Sequence, residues 1–190
     1  MTFVALDFET ADPMRDSACA LALVRVEDGR IVARETRLLR PPRREFYFTH
    51  IHGITWRMVE GKEPFEEAWP GMAPLLEGAE FLAAHNAGFD RSVMRACCER
   101  AGLAAPPAPY LCTVNLARRV WDIFPTKLPD VCGRLDIPLR HHDAGSDAEA
   151  CATIVMKAME VSGREAVDAL LPPPTAATAS PPRGRSSRRR

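Results

Sequence analysis

The sequence predicts a mixed five-stranded α/β sheet with helices on both faces, and three observations carry that assignment. The first forty residues read as three consecutive strands, two of them joined by a tight turn. Strand-like and helical segments then alternate as far as residue 161, the pattern of a sheet covered on both sides. The chain has 190 residues, of which 46% are apolar and 26% charged, which suits one globular domain with a substantial core.

Thr2 to Phe8 is an apolar run and reads as the first strand. Ala18 to Val26 reads as the second and Ile31 to Leu39 as the third, joined by a hairpin turn at Glu27-Asp28-Gly29-Arg30, where Asp-Gly is the strong signal. Pro41-Pro42 stops the third strand. A loop holding Ile51-His52-Gly53-Ile54-Thr55 leads to a helix over about Phe65 to Leu76, interrupted by Pro70 and Pro74. Ala79 to Ala84 is a short buried strand, and Ala87 to Gly102 a helix with Phe89, Val93, Met94 and Cys97 on one face and a terminating glycine. Tyr110 to Thr113 reads as a fifth strand, with short helices at Val114–Asp122 and Leu128–Leu135. Ser146 to Val161 is a long final helix that turns Ala150, Ile154, Val155 and Ala158 inward, and Ser146 with Glu149 reads as its capping box. The first strand is expected at the centre of the sheet, with Asp7 and Glu9 at the carboxyl end where clefts of α/β sheets open.

Residues 1–170 form the predicted domain. Leu171 to Arg190 is rich in Pro, Ala, Ser and Arg, carries five arginines and no acid, and is expected to be a disordered basic tail. It balances a body with 20 Lys and Arg against 25 Asp and Glu, so the chain as a whole is neutral. Such an arm adds attraction to nucleic-acid phosphates; the competing reading is a solubilising tail. No apolar run approaches the ~20 residues of a membrane helix, and no signal-type segment opens the chain, so a cytoplasmic protein is expected. Six cysteines (Cys19, Cys97, Cys98, Cys112, Cys132, Cys151) lie without a C-x-x-C pair, mostly in apolar stretches, and are expected to be buried free thiols.

Side chains two apart on a strand share a face, so Asp7 and Glu9 project together. Two carboxylates aimed at one point repel unless a cation lies between them, and hard Mg²⁺ or Mn²⁺ prefers such oxygens. D-x-E is expected by chance roughly once in a chain of this composition, and it occurs twice. The second, Asp147/Glu149, opens a helix, where positions two apart diverge, so Glu149 reads as structural. Asp90 falls in the first turn of one helix and Asp147 at the start of another, places where the helix dipole favours a carboxylate by ~0.3–1 kcal/mol. Four acids converging from one strand end and two helix starts suit two-metal hydrolysis of a phosphodiester. In that arrangement Asp7 is shared, Glu9 and Asp147 complete the water-activating metal, and Asp90 holds the other. A histidine is the side chain suited to take the water's proton near neutral pH. His142, in the loop before the Asp147 helix, is the candidate, with His141 its neighbour and competitor. His85, five residues before Asp90, ends an apolar strand and reads as a hydrogen-bonded structural residue.

Asp7-Phe8-Glu9-Thr10, His52-Gly53-Ile54, Ala84-His85-Asn86-Ala87-Gly88-Phe89-Asp90 and His142-Asp143-Ala144-Gly145-Ser146-Asp147 together resemble the DEDDh exonucleases, the group that includes the proofreading subunit of bacterial replicative DNA polymerase. The resemblance covers about Thr2 to Met159. It implies an RNase H-like fold, two Mg²⁺ or Mn²⁺ ions, and 3′→5′ removal of nucleoside monophosphates. It also selects His142 over His141 as general base. It further implies that Thr10, Ile51 and His52 contact the terminal nucleotide; for His52 the competing reading is a loop histidine satisfied by the backbone. Phe8 and Phe89 are candidates to stack on a base, with core packing as the competing reading. The second strand departs from the family's usual Ile-x-Glu-Ile-Gly, having Asp16-Ser17-Ala18-Cys19-Ala20-Leu21. No clamp-binding motif of the Gln-Leu-x-Ser/Asp-Leu kind is visible. The expected substrate is the single-stranded 3′ end of DNA, with a polymerase or repair complex as possible partner. Competing readings are an exoribonuclease, an inactive nucleic-acid-binding module, and a structural Ca²⁺ site, the last without an EF-hand spacing to support it.

Overall fold

A computed structural model of the chain describes residues 1–172, so the expected basic tail lies almost wholly outside the described residues. The strands are β1 (Thr2–Thr10), β2 (Ala18–Glu27), β3 (Arg30–Leu38), β4 (Phe81–Ala84) and β5 (Tyr110–Cys112). Short helices α1 (Thr49–His52) and α2 (Trp56–Val59) precede α3 (Phe65–Met72), which tightens into a 3₁₀ turn at Ala73–Leu76. They are followed by α4 (Gly88–Ala101), α5 (Thr113–Trp121), α6 (Leu128–Leu135), α7 (Ala144–Ser162) and α8 (Glu165–Asp168).

The strands form one sheet in the order β3-β2-β1-β4-β5, with β1 at its centre. β1 runs antiparallel to β2 and parallel to β4, and β5 is parallel to β4. This is the mixed five-stranded sheet with helices on both faces that the RNase H-like assignment requires. β1 is apolar on both faces, as a covered central strand must be. Phe3 and Ala5 face the layer that contains α5, α6 and α7, whereas Val4, Leu6 and Phe8 face α3 and α4. β3, at the edge, alternates exposed Arg30, Val32, Arg34 and Thr36 with partly buried residues, and its charges discourage pairing with another chain. Asp28 and Gly29 both take positive φ in the turn before it, at 47° and 74°, as a two-residue hairpin of this kind demands.

Two features bring the site together. Alanines on α7 (Ala148, Ala152, Ala158) pack fully buried in the cluster that holds Ala20 and Ala22 of β2 and Ala5 of β1. Small residues on both sides let the helix come close to the strand end. The β1–β2 register also slips between Glu9 and Thr10, which pair with Ala20 and Ala18, leaving Cys19 as an extra residue. Such a bulge twists the strand locally and re-aims its side chains, and it falls beside Glu9.

The structure revises several expected boundaries. α3 stops at Met72 because Pro74, with no N–H, cannot continue the ladder, and the chain tightens instead. Pro70 is tolerated within α3 because it lies on the exposed side, where the carbonyl it leaves unpaired meets water. The final helix begins two residues earlier than expected, and its cap is Asp143, whose carboxylate accepts the Ser146 N–H at 2.9 Å. Ser146 instead accepts the Arg140 N–H at 2.8 Å, and Glu149 forms a two-bonded ion pair with Arg34 of β3. The cysteines are free thiols, all buried except the half-buried Cys112.

Losing an N-cap typically costs about 1 kcal/mol. Asp143→Ala should therefore lower the melting temperature by about 2–4 °C for a chain of this size, while Asp143→Asn, which keeps an acceptor, should stay close to wild type. Thermal unfolding followed by circular dichroism reads both.

Candidate active site

Asp7 and Glu9 continue the face of β1 that carries Phe3 and Ala5, the face packed by α7. Where the apolar pairing of strand and helix ends, Asp147 of α7 meets them. One oxygen from each of Asp7, Glu9 and Asp147 lies within 4.8 Å of the others. Asp90 arrives from the opposite layer, in the first turn of α4, and is 1% exposed. It reaches over the end of β1 to accept the Phe8 N–H at 3.1 Å. The four acids thus enter one cavity of about 850 Å³ from both faces of the sheet.

Burial raises all four carboxyl groups above their ordinary range, and for Asp7 and Glu9 repulsion from neighbouring acids adds to it. For Asp7 burial acts first, followed by the charges of Asp90, Glu9 and Asp147. Glu9 is pushed to about 8, by burial and then by Asp147 and Asp90. Asp90 is raised to about 7 by burial, against the hydrogen bond from the Phe8 N–H. Asp147 is raised by burial, against bonds from the histidine loop. Its Oδ2 accepts the His142 N–H at 3.1 Å and lies 3.0 Å from Nδ1 of His141. Its Oδ1 is buried with no hydrogen-bond partner. An unpartnered buried carboxylate oxygen is costly, and here it sits among two more carboxylates. The donor set, all hard oxygen, fits a divalent cation.

The histidine loop is tightly arranged. The rings of His141 and His142 stack with centroids 3.7 Å apart, and His142 has a φ of 69°. A left-handed non-glycine residue is strained and is commonly found at functional sites. Both imidazoles line the cavity. Burial and the neighbouring His141 hold the His142 pKa below the ordinary histidine value, with Asp147 opposing.

The remaining predicted residues separate from this group. Thr10 is buried, Ile51 is exposed on α1, and neither they nor His52 line the cavity. Nδ1 of His52 accepts the Ile54 N–H at 3.0 Å, so its Nε2–H donates to the Thr10 carbonyl at 3.1 Å. His52 thus ties the loop to the end of β1. His85 is structural, as expected, with one ring nitrogen 2.9 Å from the Thr113 hydroxyl and the other 2.9 Å from the Thr126 carbonyl. Phe8 is part of the core and also borders the cavity, as does Phe89, which has the Arg15 guanidinium 4.6 Å from its ring centre. The reading of motifs missed Asn86, Asn115, Arg118 and Lys127, which also line the cavity. Their signal is topological. Asn115 and Arg118 lie three apart on the helix after β5, whose carboxyl end opens on the same side of the sheet as that of β1.

An exonuclease family model (RNase_T) matches residues 4–155. The chain is 34% identical to a PolC-type DNA polymerase III of Thermotoga petrophila over 84% of its own length but only 12% of that protein. It is 32% identical to exodeoxyribonuclease 10 of Escherichia coli, with 83% of this chain and 69% of the relative aligned. A solved structure of exonuclease X in complex with 5′-overhanging duplex DNA superposes with a TM-score of 0.71 at 29% identity, covering 87% of this chain and 98% of the other. Among the described residues, no helix is long and apolar enough to cross a membrane.

The crowded acids make a measurable signature. Glu9 at about 8 and Asp90 at about 7 bind protons in the folded chain that an unfolded chain releases near pH 4. The folded state then holds more protons than the unfolded one, so metal-free stability falls as pH rises from about 4 to about 8. Asp7→Asn, which removes one of the repelling charges, should flatten that fall. At about pH 8 in EDTA it should also raise the melting temperature, by about 2–4 °C for each 1 kcal/mol relieved. Calorimetry of the two proteins across this range decides; superimposable curves would contradict the repulsion.

Proposed function

The chain belongs to the DEDDh exonuclease family, and on that footing we propose that it acts 3′→5′ on single-stranded ends of DNA, releasing nucleoside 5′-monophosphates. The observation that carries this reading is the meeting of Asp7, Glu9 and Asp147, the last with an unpartnered buried Oδ1, with Asp90 and the histidine pair in the same cavity. The family generally uses divalent metal ions. Two ions, Mg²⁺ or Mn²⁺, would supply the positive charge that holds the cleaved phosphate and makes water acidic enough to attack near neutral pH.

The chain's own residues divide the work. Glu9 and Asp147 would hold the ion that makes water acidic, Asp90 the ion that meets the leaving oxygen's charge, and Asp7 would contribute to both. His142 takes the proton from the attacking water, for which a neutral imidazole is needed, and its lowered pKa keeps it neutral at pH 7. His141 lies against Asp147 through Nδ1 and orients that ligand. Exposed Ile51 lies outside the cavity, on the loop that His52 ties to the buried Thr10, and this segment is assigned the contact with the terminal nucleotide. DNA is favoured over RNA because the relatives reported above are named for DNA polymerase and exodeoxyribonuclease. The polymerase name also supports work alongside a polymerase; a role in repair and a cytoplasmic location complete the proposal.

End-labelled oligonucleotides test the proposal. Wild-type protein should release mononucleotides from 3′ ends with Mg²⁺ or Mn²⁺, stop with EDTA, and degrade DNA faster than RNA of matched sequence. Asp7→Ala should abolish release. His142→Ala should slow it by ~10²–10⁴-fold, the usual loss for a positioned general base. Wild-type rates in either variant would remove that residue from its role, and faster digestion of RNA would favour the exoribonuclease reading.

A further inference from the structure

The catalytic cavity is not acidic throughout. Besides the carboxylates, its wall carries two exposed cations, Arg118 at the end of α5 and Lys127 just before α6. Among the described residues, neither forms an ion pair with a carboxylate.

Arg118 is held in place although it is exposed. Its Nε donates to the Thr126 hydroxyl at 2.9 Å, and its guanidinium lies 5.2 Å from the ring centre of Phe124. Thr126 is itself 8% exposed and donates to the Ile123 carbonyl at 3.0 Å. The Thr126 carbonyl in turn is tied to His85 at the end of β4. A chain of contacts therefore runs from the sheet through His85 and Thr126 to the guanidinium. Holding Nε and one face leaves the two terminal nitrogens as free donors. An exposed arginine ordinarily loses up to ~2 kcal/mol of rotamer entropy when it is ordered by a ligand. Here much of that ordering is already done, which is the economy expected of a binding group.

We propose that Arg118 is a positioning residue for the substrate strand, binding one internucleotide phosphate on the 5′ side of the bond being cut, with Phe124 and Thr126 as its supports. The inference rests on the exonuclease reading and names a contact within it. The bond being cut belongs at the carboxylates, whose bound cations meet its charge. A guanidinium elsewhere on the same wall then suits a different phosphate, which it can take with two parallel hydrogen bonds. Phosphate contacts fix register without reading sequence, as an enzyme that removes any terminal nucleotide requires. Lys127, a point charge on a flexible stem, adds attraction without that geometry.

The test combines Arg118→Ala with single-stranded DNA in which one phosphate at a time is replaced by an uncharged methylphosphonate. On unmodified DNA, Arg118→Ala should lower kcat/KM by about 10–100-fold, the range for a charge-assisted hydrogen bond, mainly through KM. Wild-type enzyme should show a comparable loss when the methylphosphonate occupies one particular position 5′ of the cut. At that position alone, variant and modification together should cost no more than either does singly. Arg118→Lys should recover part of the loss and Phe124→Ala should weaken binding in the same direction. Losses that multiply at every position would overturn the proposal, as would a wild-type enzyme indifferent to every phosphate except the one cut, a result that needs no variant. A wild-type protein that releases no nucleotide from any 3′ end would instead defeat the exonuclease reading itself.

Discussion

Carboxylate repulsion at the end of one buried strand is the constraint around which the molecule is arranged. Four acids that would disperse in an unfolded chain are pressed together by β1, α4 and α7. Each element is committed to that position by apolar burial on a scale no single charge opposes. Phe3, Val4, Ala5 and Leu6 are wholly buried immediately before Asp7, and the alanines of α7 bring Asp147 to the strand end. The core thus sustains a locally unfavourable cluster. Storing that cost in the fold prepares the site, since a cation entering it relieves repulsion as well as making bonds.

The two layers contribute differently. α7 supplies Asp147 on the same face as Asp7 and Glu9, whereas Asp90 must cross from the α4 layer. Its carboxylate is pinned by a backbone N–H of β1 itself. That hydrogen bond registers the α4 layer against the central strand. It also opposes the rise that burial imposes on the Asp90 carboxyl, whereas for Asp7 three acidic neighbours add to that rise. The cationic wall comes from a third direction, α5 and the segment before α6, both of which follow the edge strand β5.

Much of this is visible in the sequence because it follows from short-range periodicity. The period of two puts Asp7 and Glu9 on one face, and the apolar stripe of α4 places Asp90 in a first turn. The three-strand meander follows from the Asp28-Gly29 turn. What escapes is set by competition between neighbours. Both Asp143 and Ser146 are good caps, and only the path of the chain from Arg140 decides that Asp143 caps α7 while Ser146 accepts a loop N–H. For His52 the sequence leaves open a nucleotide contact and a histidine satisfied by the backbone, and loop geometry makes both its ring nitrogens bond the backbone. Arg118 carries no local signal, because its value depends on Thr126 and Phe124 closing around it from a separate turn.

The same logic bears on how the histidine loop joins position to chemistry. Asp147 is polarised by its surroundings, with Oδ2 engaged by the His142 N–H and by His141 while Oδ1 is buried with no partner. The loop therefore fixes the orientation of the carboxylate by occupying one oxygen and leaving the other free. The φ of 69° at His142 belongs to the conformation in which its N–H meets Asp147, so the backbone of that residue supports the acid while its imidazole faces the cavity. Replacing the side chain by a methyl group keeps the N–H and, at about 1 kcal/mol or a little more for left-handed backbone, keeps this conformation accessible. The orientation of Asp147 and the proton transfer proposed for His142 are thus separable, the first carried by the main chain of that residue and the second assigned to its ring.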